Sequence, residues 1–195
     1  MNWKKAVGYG AVLGAILIVL GAGPRDFPEY READALGRKI IEDTQNLLLK
    51  EVQEKGPAEA LTQCSAVTQA MAQQHEPQGW RVRRVSLKVR NPANAPNQHE
   101  TKILKDFETL KRAGRLDPDI PNARIDVRDG KRDLWYMRPI LITHPVCLQC
   151  HGQPEDLLPA VKARLQKLYP RDRATGYQLH DMLGVVSIET PLPDL

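Results

Sequence analysis

The sequence predicts an α+β domain in which helices lead into an antiparallel sheet, with an apolar segment ahead of it. Three observations carry this. Apolar residues recur at helical spacing through the first third of the chain, and alternating runs with hairpin signals fill the rest. The composition, 42% hydrophobic and 27% charged over 195 residues, suffices for one core and is too apolar for disorder. Lys+Arg 28 against Asp+Glu 24 leaves +4, and Lys4 and Lys5 lie outside the domain body. No concentrated basic face results, so a nucleic-acid partner is excluded. Three cysteines cannot form a fully paired disulfide framework.

Element by element, the chain opens MNWKK and continues from Ala6 to Gly23 without a charge. A positive start before an apolar stretch is an export signal. As a helix the stretch would span about 27 Å, the lower end of what crosses a bilayer. Gly21 and Gly23 could form a cleavage site, but Pro24 would then be the first mature residue and hinder it. Residues 1–25 are therefore expected to be an uncleaved membrane anchor, with a cleaved signal peptide as the alternative. The body, residues 26–195, is expected on the periplasmic or thylakoid-lumen side, or secreted if cleavage occurs.

From Asp26 to about Lys55 the spacing predicts an amphipathic helix with Ala33, Leu36, Ile40, Ile41, Thr44, Leu47, Leu48 and Val52 on one stripe. That stripe could pack on the domain or pair with a second copy in a homodimer. Gly56-Pro57 ends it and opens a helix to about Gln74, whose apolar face holds Leu61, Cys64 and Met71. Trp80–Val89 alternates as a strand. Pro92 and Pro96 impose an irregular link, after which Asn97 and Glu100 form a capping box for a helix to about Ala113. Arg124–Val127 and Leu134–Ile142 read as strands joined through Asp129-Gly130. A helix over Pro159–Leu168 and a strand over Leu183–Thr190 complete the domain.

One motif carries specific chemistry. Cys147-Leu148-Gln149-Cys150-His151 is a C-x-x-C-H sequence, in which two thiols can bond the vinyl groups of one haem and the histidine ligates its iron. Zinc would require two further ligands, and no second C-x-x-C or H-x-H pair supplies them. A thioredoxin-like redox pair would open a helix after a βα strand, which Pro145 and the following His fit poorly. The motif also coincides with an export signal, which covalent haem attachment requires. One covalent haem c on Cys147 and Cys150, with His151 as proximal ligand, is the expectation. The opposite face of the iron has Cys64, Met71, Met137, Met182, His75, His99, His144 and His180 as candidates. A free buried Cys is commonly a small core residue, and Met or His is the usual second ligand in cytochromes c. Arg binds carboxylates in bidentate fashion, so Arg90, with Arg84 and Ser86 nearby, is a candidate contact for the haem propionates. The alternative for Arg90 is a solvated side chain beside a turn held by Asn91 and Asn94.

Three segments together resemble a known family: Arg84–Pro96 (RVSLKVRNPANAP), Cys147–Gly152 (CLQCHG) and Tyr177–Pro191 (YQLHDMLGVVSIETP). They are similar to the single-haem, PAS-like c-type cytochrome domain found in bacterial signalling proteins, over about Ala33 to Leu195. The resemblance implies a PAS-like antiparallel sheet flanked by helices. It also implies a haem held between His151 and, unusually, a distal Cys64 thiolate, with Met71 as the alternative. It further implies a redox or gas sensor that responds when the Cys64 bond changes with oxidation state or is displaced by NO or CO. Relatives often continue into an output module, so here the signal is expected to reach a partner protein or the membrane helix. The competing function is an electron-transfer cytochrome with a fixed ligand set and a redox partner. A haem enzyme would need a distal acid–base pair, and neither His75 nor His99 has an Arg at a recognisable spacing, so no catalytic residue is assigned.

Overall fold

A computed structural model describes residues 23–61, 70, 73–74 and 79–193. Residues 6–22 of the apolar stretch and three distal candidates, Cys64, Met71 and His75, lie outside the described residues. Among those described, no helix is long and apolar enough to cross a membrane.

Helix α1 runs Pro28–Lys55, two residues short of the expected start. The preceding Pro24–Asp26 forms a 3-10 turn, in which the Gly23 N–H donates to the Asp26 carboxylate at 2.7 Å. Gly56 ends α1 with a positive φ of 80°, and its N–H still reaches the Val52 carbonyl. Residues 57–61 are helical again. Helix α2, Gln98–Arg112, starts at the expected capping box: Asn97 Oδ1 accepts from the Glu100 N–H at 2.9 Å and Glu100 Oε2 from the Asn97 N–H at 2.8 Å. Helix α3 is the short Leu148–His151, and α4 is Pro159–Leu168 as predicted.

The strands are β1 (Arg81–Val85), β2 (Asn122–Arg128), β3 (Lys131–Leu141) and β4 (Met182–Pro191). They form one four-stranded sheet in the order β1-β4-β3-β2, antiparallel throughout. Asp129 and Gly130, both at positive φ, close the β2–β3 hairpin that the sequence announced. The strand expected over Trp80–Val89 is cut to half that length. Its pairing with β4 stops at Val85↔Val185, and the next amide, Ser86 N–H, turns to the Asn94 carbonyl at 3.2 Å.

The two-residue period of the strands divides the core. Val82, Tyr136, Ile140, Val186 and Ile188 face α1, against Ala33, Leu36 and Ile40. Val85, Met137 and Val185 face α2, against Ile103, Leu104 and Phe107. The α1 stripe therefore packs on the sheet over its first half. Gly37 allows the closest approach: a Cβ there would stand 3.0 Å from the Tyr136 ring. The same alternation sends neighbouring arginines to opposite faces, Arg83 to the buried Glu100 carboxylate at 2.9 Å and Arg84 to the α1 side.

A polar cluster pins α1 to the sheet. The Asp34 carboxylate accepts from Arg138 Nη2 and from the Tyr136 hydroxyl, both at 2.8 Å, and Arg138 Nε donates to the Tyr136 oxygen at 2.8 Å. Arg138 is 3% exposed. Burial pushes the Asp34 carboxyl up, but the hydrogen bonds from Arg138, Arg38 and Tyr136 outweigh it and hold it below 3.8. Its contribution to stability is therefore fully present above the unfolded value and is lost as pH falls through the lower folded value. Asp34→Ala removes the main partner of a buried guanidinium, and chemical denaturation should show a loss of about 3 kcal/mol near neutral pH. The gap between wild type and variant should narrow as pH falls through the lowered folded-state value, where the carboxylate becomes protonated in the folded state as well.

Candidate functional site

The site forms where β1 leaves the sheet. A Cβ at Gly184 would lie 2.4 Å from the Val85 carbonyl, so only glycine lets the departing chain cross β4 here. The Ser86 hydroxyl then donates to the Leu183 carbonyl at 2.7 Å. Past it, Lys88 donates to the Thr175 carbonyl at 3.0 Å and stands over the Tyr177 ring, and the Val89 carbonyl accepts from the Arg173 N–H at 3.0 Å. Segment 86–90 is thereby laced to segment 172–177.

The C-x-x-C-H motif is held against that same segment. His144 Nδ1 accepts from the Val146 N–H and starts a 3-10 turn over Pro145–Cys147 that runs directly into α3. The helix stops because residue 152 is glycine: a Cβ there would come within 2.5 Å of the Leu148 carbonyl, to which the Gly152 N–H itself bonds at 2.8 Å. The carbonyls of His151 and Gly152 next accept from the N–H groups of Tyr177 and Gly176, at 3.0 and 2.8 Å. These bonds bring His151 Nδ1 to 2.7 Å from the Ala174 carbonyl. A carbonyl only accepts, so Nδ1 carries the hydrogen and Nε2 keeps its lone pair. Burial, with Arg90 and Arg84 nearby, holds His151 well below 6.5 despite the Ala174 bond, so the imidazole is neutral at physiological pH. The Tyr177 ring stands edge-on to it.

Both motif cysteines are thiols outside any disulfide. Cys150 is buried among Leu61, Leu157, Val161 and Leu165, with its sulfur 3.8 Å from the Pro57 carbonyl. Burial pushes the Cys147 thiol up, only partly offset by the backbone at His144 and by Arg84.

These groups line a cleft between the second half of α1, the sheet end and the motif. The non-atom space of its main lobe, part of it open solvent, is about 790 Å³. Cys147, Cys150, His151, Arg84, Ser86 and Arg90 all border this lobe, with Leu48 and Val52 of α1 opposite. A second lobe of about 600 Å³ shares Leu48, Arg84, Cys147, His151 and Leu183 with the first and extends to Ile40 and Thr44. Leu61, three positions before Cys64 in sequence, also lines the main lobe. Six expected site residues are thus brought together, while Cys64 and Met71 lie outside the described residues. Arg90, expected as a contact for the haem propionates or as a solvated side chain, is 13% exposed and pairs with Asp172 at 3.0 Å. Ala174 and Asp172 were missed. They lie beyond the end of α4 at Leu168, where the chain turns back under the motif, and neither stood out in the sequence. Among the described residues no three His, Cys, Asp or Glu side chains converge to hold a metal ion by themselves.

An antiparallel sheet with helices on both faces, and two thiols and a neutral imidazole on one cleft wall, defines a small α+β protein built around a cysteine-and-histidine site. Residues 29–191 match the Tll0287-like family, and the chain belongs to that family. Among solved structures it is similar to the cyanobacterial heme-protein Tll0287, at 23% identity and a TM-score of 0.60, over 89% of this chain and 99% of that one. No curated protein matches it.

The glycine that ends α3 gives a direct test of this construction. Gly152→Ala should destabilise the domain by about 1–3 kcal/mol in chemical denaturation, because the obstruction is backbone and cannot swing away. Hydrogen exchange at the Tyr177 amide should accelerate beyond what the global loss explains, since its acceptor is the adjoining His151 carbonyl.

Proposed function

We propose that this chain is an exported single-haem c-type cytochrome of PAS-like fold that acts as a redox or gas sensor. The observation that carries the haem reading is the His151 Nδ1–H bond to the Ala174 carbonyl, made beside two thiols on one cleft wall. A neutral histidine whose second nitrogen is anchored to a carbonyl is the arrangement that orients a metal-binding imidazole and fixes its tautomer. The paired thiols and the histidine on one cleft wall suit a haem attached at Cys147 and Cys150 and ligated by His151. A family member described as a heme-protein supports the same cofactor. Such a haem would supply a one-electron ferric–ferrous couple and, with an opened distal position, a site for NO or CO.

The chain's own residues divide the remaining work. Leu48, Val52 and Leu61 give the cleft an apolar lining, and Arg84, which borders both lobes, supports the reading of a cation placed for a propionate. The Ser86 hydroxyl is engaged with the Leu183 carbonyl, which favours a role in shaping the wall. Cys64 as distal ligand, in place of Met71, rests on the family resemblance and on its sequence position just beyond Leu61. The PAS-like assignment rests on the antiparallel sheet in which the first strand pairs with the last. Export, with residues 1–25 as anchor or signal, rests on Lys4, Lys5 and the uncharged Ala6–Gly23 run. The sensor is favoured over an electron carrier because α1 both lines the cleft and is locked to the sheet at Asp34, so a change at the haem meets an element able to pass it on.

The pyridine haemochrome of the mature protein should show the c-type band, moved toward the single-linkage position by Cys147→Ala or Cys150→Ala, and His151→Ala should impair maturation. A haem extracted by acid–acetone would refute covalent attachment. For the sensor, ferric wild type should be low-spin with thiolate features in electron paramagnetic resonance. Cys64→Ser should abolish those features and raise the reduction potential, because a thiolate stabilises ferric iron. An unchanged spectrum and potential in Cys64→Ser would instead favour the electron carrier, with Met71 the next ligand to test.

A further inference from the structure

The Ala174 carbonyl has a second donor. Besides His151 Nδ1 at 2.7 Å, it accepts from Arg90 Nη2 at 3.1 Å. The same nitrogen donates to the Cys150 carbonyl at 2.6 Å, inside the C-x-x-C-H motif. Asp172 holds the arrangement from behind: Oδ2 accepts from Arg90 Nε at 3.1 Å, and Oδ1 accepts from the Ala174 N–H at 2.8 Å. One ion pair therefore grips both sides of the residue on which His151 rests. Its side chains are only 13% and 10% exposed, so solvent screens it weakly.

We propose that Arg90 is a positioning residue that limits electron donation from His151 through the Ala174 carbonyl they share, and that the Arg90–Asp172 pair thereby sets the haem reduction potential. This rests on the haem reading above. A carbonyl that accepts from a histidine N–H makes the imidazole a stronger donor and favours ferric iron. When the same oxygen also accepts from a guanidinium, its electron density is shared and its pull on the histidine proton weakens. The imidazole is then a poorer donor, and the potential rises. The positive charge of Arg90 acts in the same direction, because it disfavours the more positive ferric state. Asp172 acts oppositely, because its negative charge offsets Arg90 and favours the ferric state. Charge thus predicts shifts of opposite sign for the two partners, which a packing role does not.

The experiment is an equilibrium redox titration of the mature full-length protein and its variants. Arg90→Gln should move the reduced-to-oxidised ratio at fixed ambient potential about tenfold toward oxidised, or about 59 mV for a one-electron couple. Asp172→Asn should move it toward reduced, and Arg90→Lys, which keeps the charge without the fork, should fall between wild type and Arg90→Gln. In the reduced protein, the His151 Nδ1–H proton resonance should move downfield in Arg90→Gln as its bond to Ala174 strengthens. Should Arg90→Gln fail to mature, Arg90→Lys and Asp172→Asn decide the sign between them. Shifts in the same direction for both partners, or no shift with haem retained, would overturn the proposal and leave the haem reading intact. A wild-type chain without covalent haem would overturn both.

Discussion

The 2.7 Å contact between His151 Nδ1 and the Ala174 carbonyl joins two stretches that have no sequence reason to meet, and most of the site follows from it. It requires α3 to end at His151, which Gly152 enforces, and it requires the chain after α4 to fold back under the motif. The backbone bonds from Gly176 and Tyr177 supply that return. With Nδ1 engaged, Nε2 is the only imidazole nitrogen left to act as a ligand. The surrounding burial and the positive charges of Arg90 and Arg84 keep the ring neutral, the state a metal ligand needs.

The sheet distributes function by its alternation. The face carrying Val85, Met137 and Val185 is closed by α2 and carries the Arg83–Glu100 pair. The opposite face is closed by the first half of α1, where Gly37 lets the helix settle on Tyr136 and Asp34 locks to Arg138. Toward the other end of the same helix, Leu48 and Val52 face the cleft instead of the sheet. One continuous helix therefore spans a rigid contact and the cleft wall. The energy of the first half comes from apolar burial, roughly 25 cal/mol for each Å² removed from water, while the second half remains able to pack against a cofactor.

Local chemistry was legible in the sequence wherever the determinants were neighbours. Asn97 and Glu100, Asp129-Gly130 and the Pro159–Leu168 segment each contain their own start, turn or stop, and the structure places them as read. The motif residues Cys147, Cys150 and His151 were legible for the same reason. The extent of β1 was not, because Val85 is its last paired residue only through Gly184 on another strand and the Asn94 carbonyl in a later loop. Ala174 could not be found from sequence either: its contribution is a backbone oxygen, which leaves no residue-type signal. The Arg90–Asp172 pair could not be read either, because Asp172 lies 82 positions away and nothing local joins them.

The central claim is that Cys147 and Cys150 covalently hold one haem over His151. Intact-mass measurement of the denatured, natively matured protein tests it most directly, because denaturation removes every non-covalent ligand. The account predicts a mass increased by one haem per chain, with the increment retained on the peptide containing Cys147 and Cys150. An unmodified mass with both thiols open to alkylation would contradict it.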